Sequence, residues 1–288
     1  MIDLSAVLES ESLLYILLES PRDQARSLLR ILENRNSEDP PIFEKVQDAQ
    51  QNVSGLLQVF QSENLKIREL KLVFDGSPEV FFEFLVTENS KMQVTGKRLK
   101  IHVEKLIVTS SETPESHFLK FLKLFKPETM KKLEINFPSI DSELVDKICK
   151  LQFFGKLKTF ELGPKVENPK IGKFLNAGKM KCRVGRLTAK DIAVVTEAYL
   201  AKNLGAYFKI FTDRPIELNE IFRVINFMPW PMPITITNGA EPDVRIQHYT
   251  ISSDPQNSLE LLVKISKFEF KGILCRIDFE EDLNLRTD

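Results

Sequence analysis

The chain of 288 residues carries 40 Lys and Arg against 41 Asp and Glu and is 42% hydrophobic, enough to bury a full core as one elongated domain or two compact ones. This excludes a disordered chain, and 21 Phe against one Trp and four Tyr put most aromatic area in side chains suited to interior packing. Cys149, Cys182 and Cys275 are widely spaced and odd in number, so neither a disulfide framework nor a structural zinc site is expected.

The opening Met1-Ile2-Asp3-Leu4 has an acid where a signal peptide carries basic residues, and no apolar run is long enough to cross a bilayer. A cytosolic or nuclear chain without membrane contact is the expectation. The near-zero net charge conceals an asymmetry. Residues 91–190 hold 22 Lys and Arg against 10 Asp and Glu, while residues 1–90 hold 8 against 16 and residues 191–288 hold 10 against 15. A basic middle lies between two acidic flanks.

In chain order, residues 5–33 and 42–62 read as helices, broken at Pro21 and at Pro40-Pro41. Ile67, Leu70, Leu72 and Phe74 then mark a strand. Three segments follow at a constant spacing of 27 residues, beginning at Val103, Met130 and Leu157. In each, apolar positions alternate with others (Leu106/Val108, Leu133/Ile135/Phe137, Phe160/Leu162), the period of a strand with one buried face. Phe118-Leu119-x-Phe121-Leu122-x-x-Phe125 and Leu144-Val145-x-x-Ile148-Cys149 between them have the three- and four-residue steps of amphipathic helices.

Thr113-Pro114-Glu115 and Ser139-Ile140-Asp141 are the expected helix starts. The Ile67 strand precedes its successor by 36 residues instead of 27, which an insertion around residues 89–97 explains. The next strand is expected at Val184 and Leu187, ahead of a helix through Ile192, Val195 and Tyr199. A strand at residues 207–211 and a helix at 218–227 follow. Then come the link Pro229-Trp230-Pro231-Met232-Pro233 and strands at 234–237, 244–251, 259–265 and 268–277, with Asn238-Gly239 signalling a turn.

The series from Val103-Glu104-Lys105-Leu106-Ile107-Val108 through Phe125-Lys126-Pro127-Glu128-Thr129-Met130 to Lys132-Leu133-Glu134-Ile135 resembles the FTH domain of nematode F-box-associated proteins. Leu187-Thr188-Ala189-Lys190-Asp191-Ile192 and His248-Tyr249-Thr250-Ile251-Ser252 extend the likeness, over about residues 67–277. The resemblance implies a non-catalytic protein-interaction domain of a family catalogued as of unknown function, often joined to an F-box that docks a ubiquitin-ligase adaptor. An F-box opens with Leu-Pro, whereas the first proline here is Pro21, so no F-box is recognisable.

The strands also resemble leucine-rich repeats, although Ser111, Pro138 and Lys165 stand where that repeat has Asn. The expected fold class is α/β: leucine-rich-repeat-like strand–helix repeats forming a parallel sheet backed by helices, with N-terminal helices and a β-rich C-terminal part. The expected divisions are a helical region at residues 1–66, repeats at 67–200, a β-rich part at 201–277 and an acidic tail at 278–288.

Candidate recognition residues come from the outward strand face (Lys105, Ile107, Thr109, Lys132, Glu134, Asn136, Thr159 and Glu161) and from lysine pairs repeating at the same spacing (Lys120 with Lys147, Lys123 with Lys150). Solvated surface lysines are the alternative to a binding function. A protein partner, acidic for the lysine columns, is expected, with a ubiquitin-ligase adaptor and RNA as alternatives. RNA is disfavoured because Phe118, Phe121 and Phe125 lie on the core stripe rather than among the lysines.

His102, His117 and His248 fall in no metal-ligand pattern, Gly155-Lys156 ends a helix, and Asn52-Val53-Ser54 is an idle glycosylation match. Neither a cofactor nor enzymatic activity is expected. Trp230 reads as a plug over the end of a core, with a partner anchor as the alternative.

Overall fold

The computed structural model describes residues 13–20, 28–34, 46–47, 56–57, 59–61, 66–114, 116–227, 234–238, 244–251 and 259–276. Trp230 and its prolines, Asn52, Gly239 and the acidic tail lie outside the described residues. The protein is a mixed α/β chain that divides into two compact units, Met1–Leu157 and Lys158–Asp288. The division falls within residues 67–200, which the sequence groups as one run of repeats.

The first unit holds β1 (Leu13–Ser20), β2 (Leu28–Asn34), β3 (Val46–Gln47), β4 (Lys66–Phe74), β5 (Val103–Ser110) and β6 (Lys132–Asn136), in the spatial order β3-β2-β1-β4-β5-β6. β1, β4, β5 and β6 run parallel, which requires crossovers. The helices α1 (Glu79–Val94) and α2 (Phe118–Leu122) supply those after β4 and β5, and α3 (Ser142–Ile148) follows β6. The register follows the sequence spacing: Leu70 pairs with Leu106, and Leu106 with Leu133, 27 residues on.

Leu70, Leu72, Leu106, Val108, Leu133 and Ile135 are all fully buried at the strand face carrying the alternating apolar residues. Against them pack Phe82, Phe118 and Phe121 at 0% exposure, with the Phe82 and Phe121 rings stacked at 4.6 Å. Burial of each ring is worth about 1.5–3 kcal/mol. The nine-residue excess before β5 is absorbed by α1, which has 16 residues where α2 has 5.

Four expectations for this unit are corrected. Residues 5–33 do not form helices across β1 and β2, which pair antiparallel from Leu13↔Asn34 to Glu19↔Leu28. Leu13-Leu14-Tyr15-Ile16-Leu17-Leu18 and Leu28-Leu29-Arg30-Ile31-Leu32 are near-continuous apolar runs with no period of their own, and their short length is that of strands. In the stretch read as a second helix, Val46–Gln47 form β3, while residues 56–57 and 59–61 are helical. The helix expected at Thr113-Pro114-Glu115 begins instead at Phe118, and Thr113 Oγ1 donates to the Ser139 carbonyl at 3.0 Å. Gly155 sits inside a separate 3-10 turn, Phe154–Lys156, rather than at the end of α3.

The second unit holds β7 (Thr159–Val166), β8 (Lys179–Val184), β9 (Tyr207–Thr212), β10 (Ile234–Asn238), β11 (Arg245–Thr250), β12 (Leu259–Ile265) and β13 (Glu269–Arg276). Their order is β7-β8-β9-β13-β12-β11-β10, parallel through β7, β8 and β9 and antiparallel from there on. The helices are α4 (Ala189–Leu200) and α5 (Leu218–Phe227). Thr188 and Asp191 form a capping box that opens α4: Thr188 Oγ1 accepts from the Asp191 N–H at 3.2 Å while the Asp191 carboxylate accepts from the Thr188 N–H at 2.9 Å.

The strand expected at Val184 and Leu187 is displaced to Lys179–Val184. The connection from β7 is only a 3-10 stretch, Ile171–Asn176, so Thr159 pairs with Lys179, 20 residues on, and the 27-residue interval does not continue.

Candidate recognition faces

In a strand with one face in the core, alternate residues emerge on the opposite side, and the register decides which of them meet. In the first unit Glu69, Lys105 and Lys132 lie in one cross-strand row, and Lys71, Ile107 and Glu134 in the next. Lys105 Nζ donates to Glu69 Oε2 at 2.6 Å, Lys132 Nζ lies 3.1 Å from Glu134 Oε2, and Asn136 Nδ2 donates to Glu134 Oε1 at 3.0 Å. Burial alone would raise the Glu134 pKa. The Asn136 and Lys132 hydrogen bonds and the nearby Lys132 and Lys105 charges overcome it and hold the carboxyl below its usual range.

Lys105, Lys132, Glu134, Asn136 and Thr109 are half-buried, a fixed mosaic rather than solvated charges. Ile107, at 8% exposure, is buried in its row between Lys71 and Glu134 and presents little surface. Thr159 and Glu161 belong to the second unit, half-buried on β7 between Phe160 and Leu162.

The lysine pairs separate into two kinds. Lys123 and Lys150 line one depression together with Arg98. Lys120 and Lys147 are both exposed, and Lys147 is engaged by Glu143 at 2.8 Å, which raises its pKa chiefly through that hydrogen bond. Phe118, Phe121 and Phe125 are buried, so those rings offer no stacking platform beside these lysines.

The second unit carries a cross-strand feature that sequence reasoning missed. Lys181, Lys209, Lys271 and Lys264 pair in succession across β8, β9, β13 and β12, with Glu161 opposite Lys181 at the end of the row. Glu269 reaches Lys271 at 3.2 Å and Lys209 at 3.7 Å. Beside them Tyr207 has its pKa pushed up to about 12 by burial and by the Glu269 and Glu161 charges. A cavity of about 650 Å³ opens here, lined by Lys181, Arg183, Phe211 and Phe268, with Asp213 at its edge held by Arg183 at 2.9 Å and Lys165 at 3.2 Å. Each strand shows its alternation (Lys179-Met180-Lys181-Cys182-Arg183), but the row needs the register across strands far apart in sequence.

Two of the three histidines sit in local pairs, His117 Nδ1 donating to Glu79 and His248 Nδ1 to Glu260, both at 2.6 Å. Burial raises the Cys182 thiol to about 12, out of the reactive range. Among the described residues no group of three or more His, Cys, Asp or Glu could hold a metal ion, and no helix is long and apolar enough to cross a membrane.

Residues 93–225 match the family model of the FTH domain. The FTH match spans β5 to α5, taking in the mosaic on β5 and β6 and the Lys181 and Lys209 end of the lysine row. No curated protein and no solved structure matches the chain.

Proposed function

We propose that the chain is a non-catalytic recognition module that holds a protein partner on the strand face opposite its core. The observation that carries this reading is the half-buried mosaic of Glu69, Lys105, Lys132, Glu134 and Asn136, whose side chains are already locked in place by ion pairs and hydrogen bonds. A pre-ordered charged surface selects a complementary partner while losing little side-chain entropy on binding. The FTH match is compatible with an interaction module and supports the reading from a separate direction.

The test is affinity capture with the full chain and with the double charge swap Lys132→Glu/Glu134→Lys, both checked for the same thermal unfolding. Loss of about tenfold or more in the recovery of specific partners is expected, since each swapped charge opposes the partner's own. Unchanged recovery by the folded variant rejects this face.

A further inference from the structure

Beside the start of β5 the first unit has a cavity of about 570 Å³ lined by Lys97, Arg98, Lys100, His102 and Lys126, and among the described residues no Asp or Glu contributes to its wall. Among the described residues Lys97, Arg98, Lys100 and Lys126 form no ion pair, a state they share with Lys66, Lys71, Lys120, Lys123 and Lys150 of the same unit, but these four line one cavity. Lys91, Lys105, Lys131, Lys132, Lys147 and Lys156 each stand within 4.0 Å of a glutamate. Cations commonly gather near helix C-termini, and α1 ends just before Lys97. That preference explains why cations are present there but not why they surround a concavity.

The frame is built rather than loose. The Lys97 N–H donates to Met92 O at 3.0 Å, the Leu99 N–H to Oδ1 of buried Asn89 at 3.0 Å, and the Lys126 N–H to Ile101 O at 2.9 Å. Unneutralised cations crowded round a concavity repel one another, and their field is focused into it, so an anion entering there relieves the repulsion. Arg98 also lines the adjoining depression of about 380 Å³ with Lys123 and Lys150, again without an acid in the wall among the described residues. Six basic residues of the middle of the sequence thus line adjoining depressions.

We propose that this cavity binds a compact anion bearing several phosphate groups. Its volume falls in the range of about 300–1,000 Å³ typical of small-ligand sites. A guanidinium fork among lysines suits phosphate oxygens, and a single carboxylate would leave most of the positive charge uncompensated. The site uses none of the strand-face mosaic, so it stands or falls independently of the partner-binding reading.

The test is calorimetric titration of the full chain with tripolyphosphate, inositol hexakisphosphate and citrate, and a comparison with Arg98→Gln/Lys126→Gln. Both phosphate probes are expected to bind about tenfold or more tightly than citrate, and the double variant to weaken them by a similar factor. The control Lys179→Gln/Lys190→Gln, which removes the same charge from the second unit, is expected to change neither. Phosphatidylcholine vesicles with and without phosphatidylinositol bisphosphate separate the sources. Tighter binding to the doped vesicles than to the soluble probes identifies a lipid headgroup, and the reverse identifies a free polyphosphate. Citrate binding equal to tripolyphosphate, equal weakening in the control, or no binding of either phosphate probe overturns the proposal. So does a double variant that loses affinity for oligouridylate and keeps it for tripolyphosphate.

Discussion

Lys209 on β9 and Lys271 on β13 stand directly opposite each other, and the single carboxylate of Glu269 serves both, at 3.7 and 3.2 Å. Like charges paired across strands destabilise a sheet, and Lys271 keeps only 6% of its side chain exposed, so water cannot screen the repulsion well. Glu269→Gln is expected to cost about 1–3 kcal/mol in urea denaturation. This is below the full penalty of a broken buried pair because Lys209 and Glu269 retain some solvent contact. Adding Lys271→Met should restore most of the loss by removing one of the opposed charges. A Glu269→Gln variant as stable as the parent would show that this carboxylate does not hold the row together.

Glu79, the first residue of α1, also acts on α2. Its Oε1 accepts from the N–H groups of Ser116 and His117, each at 3.0 Å, from Ser116 Oγ at 2.9 Å and from His117 Nδ1 at 2.6 Å. Helix α2 has no side-chain cap of its own, and a carboxylate from another helix holds the N–H groups of its N-cap residue His117 and of Ser116 before it. Burial raises the Glu79 pKa, but the four bonds outweigh it and the net shift is downward. A lowered folded-state value means stability that is complete above the unfolded pKa of about 4.3 and is lost as pH falls through the folded value. Glu79→Gln should therefore cost about 1–2 kcal/mol near neutral pH, and the gap from the parent should narrow in acid. Urea melts across that range check it; a gap that is constant down to strong acid contradicts the assignment.

Strands β4, β5 and β6 were legible because each hides one face: Leu70, Leu106 and Leu133 recur at spacings that prove to be the register itself. Strands β1 and β2 were not, since an apolar run without alternation fits a helix or a strand, and pairing decides between them. At β8 the alternation of Met180, Cys182 and Val184 was in plain view, but the 27-residue interval, carried past its last valid unit, pointed further along. For the candidate surface, sequence parity told which residues leave the core side and nothing about which of them meet. The bond between Lys105 and Glu69, the burial of Ile107 and the four-lysine row all depend on register between distant segments. The carboxylate that holds the start of α2 lay equally out of reach, because the acceptor comes from residue 79 and not from the residues just before the helix.

Gly272 in the middle of β13 is required by a neighbour rather than by its own backbone. A Cβ placed there would stand 2.5 Å from the Phe208 ring and 3.2 Å from the Leu262 carbonyl oxygen. Phe208 is fully buried between Tyr199 and Phe270, with ring centroids 4.7 Å away on each side, so it has no open direction in which to yield. Gly272→Ala is expected to destabilise by about 1–3 kcal/mol, the usual cost of overpacking a filled core, even though alanine suits a strand better than glycine does. Phe208→Leu alone should also lose stability by leaving a void, while Gly272→Ala/Phe208→Leu should lose less than the sum of the two. A double-mutant cycle in urea measures that coupling, and strict additivity would mean that the ring and the glycine do not share the space.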